Sequence, residues 1–231
     1  MDEIFQRTKI VIGEDGFNRL KNSWVAVFGI GGVGSFATEA LARCGIGKLT
    51  LVDYDYVEMT NINRQIHALI STIGKSKVEV MKKRIKNINP GCVVYTQKIL
   101  LCEDNIHEMV SPNYAYIIDA IDDVESKVLL IEQAAKKRIP IISCMGAGNK
   151  IDPTKLQVSN LFDTKVCPLA KIVRKKLRKK GVCEKIKAVF STEKPHKTKE
   201  TKITGSLCSV TSTAGLLAAG EVIKDLTKLK Y

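Results

Sequence analysis

An α/β fold built on a doubly wound, mostly parallel sheet, with a basic C-terminal extension, is predicted by three observations. Short β-branched runs alternate with amphipathic segments through the first 150 residues. The first run, Val25 to Phe28, enters a glycine turn, Gly29-x-Gly31-Gly32-x-Gly34, that opens straight into a helical stretch. The second run ends in a carboxylate, Asp53, 19 residues past Gly34, where a βαβ unit sets an acid against a ribose hydroxyl pair. At 231 residues, with 45% hydrophobic and 26% charged, the chain can bury a real core.

Before the turn, Phe5 to Lys21 reads as short helices crossing the domain edge, broken at Gly13-Glu14-Asp15-Gly16. Arg7 is by itself a surface arginine. In the turn, Gly29 permits the tight bend, Gly31 lets a phosphate approach bare backbone N–H groups, and Gly34 lets the helix lie close to the strand. The helix runs from Ser35 to Cys44 and the second strand from Lys48 to Asp53. Asp55 competes with Asp53 for the ribose; the strand-end position favours Asp53. Glu58 to Gln65 is a polar loop holding the amides of Asn61 and Asn63 and one fixed cation, Arg64. Val78, Met81, Ile85 and Ile88 form the core face of a lysine-rich helix that Asn89-Pro90-Gly91 stops. Most of those lysines are a solvated face, and Lys77, in the first turn near the strand ends, stands apart from them.

A third strand, Val93 to Ile99, and a short helix from Glu103 lead to a buried strand, Tyr116 to Asp123, that ends in Asp119, Asp122 and Asp123 at the same rim as Gly29. Three acids there repel unless a cation sits among them. Local sequence leaves two readings: a magnesium site, or an N-cap by Asp122 or Asp123 on a helix from Ser126 to Arg138. A further strand, Ile139 to Cys144, ends at Gly146-Ala147-Gly148.

Beyond Asp152-Pro153 the alternation weakens. Lys171 to Gly181 reads as a helix with Leu169, Ile172, Val173 and Leu177 on one face and an unbroken basic face opposite. Lys194 to Lys202 adds a basic loop, and Ser209 to Leu226 a small-residue apolar helix too short to span a bilayer. The net charge of +13 is uneven: residues 1–150 hold 19 Lys+Arg against 17 Asp+Glu, and residues 151–231 hold 18 against 7. So concentrated a cationic field calls for a polyanion, and nucleic acid fits better than a membrane surface because no long amphipathic anchor is present. Aromatic residues are scarce, so backbone phosphates and shape are what such a region would hold. The N-terminus has no apolar secretory run, which predicts a cytoplasmic protein. Seven scattered cysteines read as reduced thiols; with no Cys-x-x-Cys pair and three distant histidines, no zinc site is expected.

With Gly29-x-Gly31-Gly32-x-Gly34, Asp53-x-Asp55, Asn61-x-Asn63-Arg64-Gln65, Lys77 and Asp119-x-x-Asp122 in order, the chain resembles the ThiF/MoeB/HesA family, relatives of ubiquitin-activating enzymes, over residues 1 to about 150. The resemblance implies a Rossmann-like core that binds ATP and Mg2+ and adenylates a carboxylate. It implies Asp53 on the ribose, Asn61, Arg64 and Lys77 on the triphosphate, Asp122 on the magnesium, and Arg7 reaching the ATP of the other subunit in a homodimer. Elementary chemistry agrees. A carboxylate is ionised at neutral pH, so attack on the α-phosphate needs no general base; it needs two anions held together and their charge neutralised.

Asn63 to Leu69, Ile118 to Asp122, Gly146 to Gly148, Ile151 to Thr154, Pro168 to Ala170 and Val189 to Glu193 extend the likeness into the basic region. They are similar to the branch of the family that dehydrates threonylcarbamoyladenosine in tRNA. Residues 1–150 are then an ATP-binding adenylation core and residues 151–231 a basic region that completes the fold and contacts tRNA. A sulfur-relay partner such as a cysteine desulfurase also enters with the resemblance. The alternative is adenylation of the C-terminal glycine of a ubiquitin-like sulfur carrier, but relatives with that activity commonly keep paired Cys-x-x-Cys zinc ligands, absent here. Cys167 lies where some relatives keep a crossover cysteine and reads either as a nucleophile or as a plain thiol before Pro168. A nicotinamide-dependent dehydrogenase would leave Asn61, Arg64 and Lys77 without work.

Overall fold

The computed structural model describes residues 2–183, 185–196 and 203–228. Seven strands form one sheet: β1 (Trp24–Phe28), β2 (Lys48–Val52), β3 (Val93–Gln97), β4 (Tyr116–Asp119), β5 (Ile141–Cys144), β6 (Leu156–Asn160) and β7 (Lys187–Ser191). Their order is β3-β2-β1-β4-β5-β7-β6, and every pairing is parallel except that of β6 with β7. The chain winds outward from β1 through β2 to β3, then returns to place β4 on the other side of β1. That reversal opens a crevice at the carboxyl ends of β1 and β4.

Val25 to Phe28 are all buried, as a parallel strand covered on both faces requires. Successive side chains still part company. Val25 and Val27 enter a core with α1 (Gln6–Asn22), α2 (Gly34–Arg43), α3 (Lys77–Ile88) and α7 (Cys208–Thr227), whereas Ala26 and Phe28 enter one with α4 (Ile106–Met109), α5 (Val124–Lys136) and α6 (Pro168–Lys179). The apolar spacing of α3 buries Val78, Met81 and Ile85 fully and Ile88 partly. At Gly13, φ is +71°, so α1 is two helical pieces joined at the glycine turn expected there.

Two expectations need correction. The alternation expected to weaken beyond Pro153 still supplies β6 and β7, which complete the sheet; β6 is a half-buried edge strand whose Gln157, Ser159 and Asn160 dilute any apolar run. Ile172 is 47% exposed, because α6 buries the stripe Ala170, Val173 and Leu177, and Ile172 lies off it.

Close backbone approach fixes the first βα connection. A Cβ on Gly34 would stand 1.8 Å from the Gly29 carbonyl oxygen, and one on Gly215 of α7 would stand 2.2 Å from the Val33 oxygen. Gly34→Ala is therefore expected to lower stability by roughly 3 kcal/mol through overpacking against backbone, seen as a lower urea midpoint. An unchanged midpoint would mean that α2 rides loosely on β1.

Candidate active site

The carboxyl ends of β1, β2 and β4 open on a cavity of about 460 Å3. Gly29, Gly31 and Gly32 form its floor at the switch point of the sheet, the place where open α/β sheets bind ligands. Gly29 has φ +84°, and a Cβ there would meet the Ala120 oxygen at 2.6 Å. Only glycine fits, so the turn presents backbone rather than side chains to the cavity.

Asp53, one residue past β2 and 9% exposed, braces that turn: its Oδ2 accepts the Ile30 N–H at 2.6 Å and its Oδ1 the Asp55 N–H at 2.9 Å. Burial pushes the Asp53 carboxyl up from its ordinary range, opposed by Lys77 and by the two backbone donors. Lys77, buried at the start of α3, donates from Nζ to Asp55 Oδ2 at 2.6 Å. Asp55 thus holds the lysine at the cavity wall.

Opposite them, a short 3-10 turn over Met59–Asn61 is closed by reciprocal bonds between Glu58 and Asn61, with Asn61 Oδ1 accepting the Glu58 N–H at 3.1 Å. The next turn carries Arg64, whose Nη1 donates to Thr60 O at 3.0 Å and to Asn63 Oδ1 at 2.9 Å. Its aliphatic stem lies over Gly32, 3.2 Å from where a Cβ would be. Asn61, Arg64, Lys77, Asp53 and Asp55 all line the one cavity.

The three carboxylates at the end of β4 do not form one cluster, which corrects the sequence-based picture. Asp119 is fully buried and ion-paired with Lys127 at 2.8 Å. Asp123 caps α5, accepting the Ser126 N–H at 2.8 Å, and that bond holds its carboxyl below the usual range. Asp122 and Asp123 are both exposed at the lip of the cavity, and of the two only Asp122 is engaged by neither a cap nor an ion pair among the described residues. Among the described residues no group of three or more His, Cys, Asp or Glu could hold a metal ion. A magnesium ion nevertheless suits one free carboxylate, since it takes one or two from protein and the rest from water and substrate phosphates.

Arg7, exposed on the first turn of α1, does not line the cavity. Cys167 is 3% exposed and stands as the residue before α6, away from solvent. His67 is 1% exposed; burial, then Lys77 and Arg84, lowers its pKa to about 4, so it stays neutral. The basic face of α6 is not unbroken: Lys176 pairs with Glu125 and Arg174 donates to Thr164, leaving Lys171, Lys175, Arg178 and Lys179 exposed. Of the basic loop at Lys194 to Lys202, residues 197–202 lie outside the described residues.

Some of the walls were not anticipated. Leu100 and Leu101 form one apolar side, and Tyr54 projects between acids, its phenol pushed up first by Asp55. Thr204 and Ser206 close another side from far along the chain. Asn149 Oδ1 accepts the Gly205 N–H at 2.6 Å, and Asn63 Nδ2 donates to the Ser206 oxygen at 3.1 Å. No local pattern marks Thr204 or Ser206, although Tyr54 stands between two strand-end acids and could have been singled out. Backbone N–H groups, two cations and the exposed carboxylate of Asp122 thus line one open crevice, an arrangement suited to a polyphosphate.

The sequence matches the ThiF family over residues 5–230. It is 44% identical over 240 residues to the tRNA threonylcarbamoyladenosine dehydratase of Bacillus subtilis (strain 168), covering 97% of this chain and 94% of that protein. The crystal structure of the Escherichia coli tRNA N6-threonylcarbamoyladenosine dehydratase, TcdA, in complex with ATP superposes with a TM-score of 0.94 at 40% identity, covering 98% of this chain and 94% of the other. A more distant relative, the molybdopterin-synthase adenylyltransferase of Haemophilus influenzae (strain ATCC 51907 / DSM 11121 / KW20 / Rd), is 34% identical over 129 residues, 56% of this chain and 53% of that protein.

Proposed function

The chain belongs to the ThiF family, and from that premise we propose that it is an ATP-dependent tRNA threonylcarbamoyladenosine dehydratase. The observation that carries this reading is the whole-chain likeness to such dehydratases, one of them crystallised with ATP, whereas the likeness to a carrier-type adenylyltransferase stops near half the chain.

ATP would lie with its phosphates on the N–H groups of the Gly29–Gly34 turn and its ribose against the remaining lone pairs of Asp53. Asn61, Arg64 and Lys77 would hold the triphosphate, and Asp122 a magnesium ion. Such an ion, when bound, neutralises charge on the phosphates. The threonine carboxylate of the modified adenosine attacks the α-phosphorus, the α–β phosphoanhydride breaks, and pyrophosphate leaves. No residue has to remove a proton; Arg64 and Lys77 offset the charge of two approaching anions. The ureido group on the same side chain then closes on the acyl carbon, the acyl–phosphate C–O bond breaks, and AMP leaves while the ureido proton passes to the AMP phosphate or to water, so the nucleoside loses one water overall. Closure is intramolecular, which removes any need for an enzyme thiol and suits a buried Cys167.

The working unit in this reading is a homodimer. Ile4, Ile10 and Val11 are 52%, 77% and 72% exposed around Arg7, so a second copy covering this apolar surface would carry Arg7 toward the neighbouring ATP. We place the enzyme in the cytoplasm with its tRNA; no described helix is long and apolar enough to cross a membrane.

Incubation with Mg-ATP and tRNA bearing threonylcarbamoyladenosine, mild digestion and mass analysis should give a nucleoside lighter by one water only when ATP is present. An unchanged nucleoside from protein that binds ATP would favour the carrier alternative, tested by pyrophosphate exchange that depends on a small protein. For the RNA surface, Lys175→Glu/Lys179→Glu should weaken tRNA binding about tenfold and reduce the slope of log affinity against log salt by roughly two. An unchanged slope in filter binding would move the RNA off α6.

A further inference from the structure

Behind the lip of the cavity lies an ion pair that the proposed chemistry does not use. Asp119, the last residue of β4, and Lys127, one turn into α5, are each 0% exposed, with Lys127 Nζ 2.8 Å from Asp119 Oδ2. The ammonium also donates to the Cys144 carbonyl oxygen at 3.0 Å and reaches Ser143 Oγ at 3.4 Å. Ser143 Oγ donates in turn to the same carboxylate oxygen, and Asp119 Oδ1 accepts the Ile121 N–H at 3.1 Å. One lysine therefore ties α5, the exit of β5 and the turn after β4 together.

Burying two charges is a poor way to stabilise a fold, because the loss of hydration offsets their attraction and well-packed apolar residues of similar volume often do as well. What the pair supplies here is direction. The Ala120–Asp123 turn carries Asp122 and rests on the glycine turn: Ala120 N–H bonds the Phe28 oxygen at 2.8 Å, and the Ala120 oxygen stands 2.6 Å from where a Gly29 Cβ would be. The segment after Cys144 leads to Gly148 on the far wall. A shift at Asp119 is thus felt on both sides of the cavity.

We propose that Lys127 is a positioning residue for adenylation, acting through Asp119 and Ser143 to hold the Ala120–Asp123 turn at a fixed distance from the Cys144–Gly148 wall. This rests on the adenylation reading given above. Asn61, Arg64 and Lys77 sit on segments that the pair does not touch, so ATP capture survives its loss and the turnover step does not.

The test is Asp119→Leu/Lys127→Met, which removes both charges together and leaves neither uncompensated, in the full-length protein. The expected result is a folded protein whose kcat for AMP formation falls about a hundredfold, the effect of a misplacement near 1 Å, with KM for ATP within about threefold of the parent. Hydrogen exchange of peptides spanning 119–123 and 144–148, measured without nucleotide, should be roughly tenfold faster. A folded double variant with unchanged kcat, or with unchanged exchange in both peptides, overturns the proposal. If the parent itself forms no AMP, the adenylation reading fails, and the exchange measurement still decides whether the pair fixes the two walls. If the double variant does not fold, Ser143→Ala decides: a several-fold fall in kcat at constant KM supports the positioning role, and an unchanged kcat overturns it.

Discussion

Asp122→Ala is expected to lower ATP-dependent AMP formation by about a thousandfold, the upper end of what removing one transition-state stabiliser costs, while tRNA affinity stays within about twofold. The size follows from position. Asp119 is buried against Lys127, and Asp123, although it lines the cavity, spends one oxygen on the α5 cap, so Asp122 is the carboxylate of that strand end with no such engagement. The other acids of the cavity are already engaged: Asp53 by the Ile30 and Asp55 N–H groups, Asp55 by Lys77, Glu58 by the turn it closes and Asp123 by the α5 cap. Because Asp122 is exposed and holds nothing in the fold, the melting temperature should hardly move. Quench-flow measurement of AMP, paired with filter binding, separates the two quantities. Parent-like turnover in the variant would take Asp122 out of the site.

Arg64→Ala should cost AMP formation between a hundredfold and a thousandfold, again at nearly constant tRNA affinity. Two of its possible hydrogen bonds go to Thr60 O and Asn63 Oδ1 through Nη1, so the guanidinium is pre-aimed and its other donors are available to an oxyanion. Arg64→Lys restores charge but not the fork, and is expected to regain no more than about a tenth of the parent rate. Full recovery with lysine would show that a point charge suffices and that the bonds to Thr60 and Asn63 only tether the loop.

The parts of this molecule that could be read from sequence are those encoded by near neighbours. The apolar run Val25 to Phe28 followed by glycines at fixed spacing dictates a strand, a turn and a helix, because the steric rules act within a few residues. Asp53, Asn61, Arg64 and Lys77 were found by their positions at strand ends or in polar loops, and the structure brings all four to one cavity. What escaped is encoded by distant partners. A lysine in an amphipathic helix looks solvated, and only the docking of α5 on β4 turns Lys127 inward. Spacing alone could not say which of Asp119, Asp122 and Asp123 is buried, which caps a helix and which is left unengaged, since one residue of strand extension reverses the answer. Thr204 and Ser206 join the wall through Asn149 and Asn63, contacts that no short-range pattern announces.

The strand order has a consequence for biosynthesis. β1 hydrogen-bonds β2, whose residues follow within about thirty positions, but its other neighbour, β4, is not synthesised until Tyr116 to Asp119 have emerged, and β5 waits further for β7. A ribosome-bound chain ending before β4 can form the β1–β2–β3 half and its glycine turn, yet it has neither the opposite lip nor a partner for the exposed edge of β1. Nucleotide capture is therefore a late event, coupled to closure of non-local pairings that fold slowly. A ligand that binds only the completed crevice favours the closed sheet over its half-built precursor by mass action.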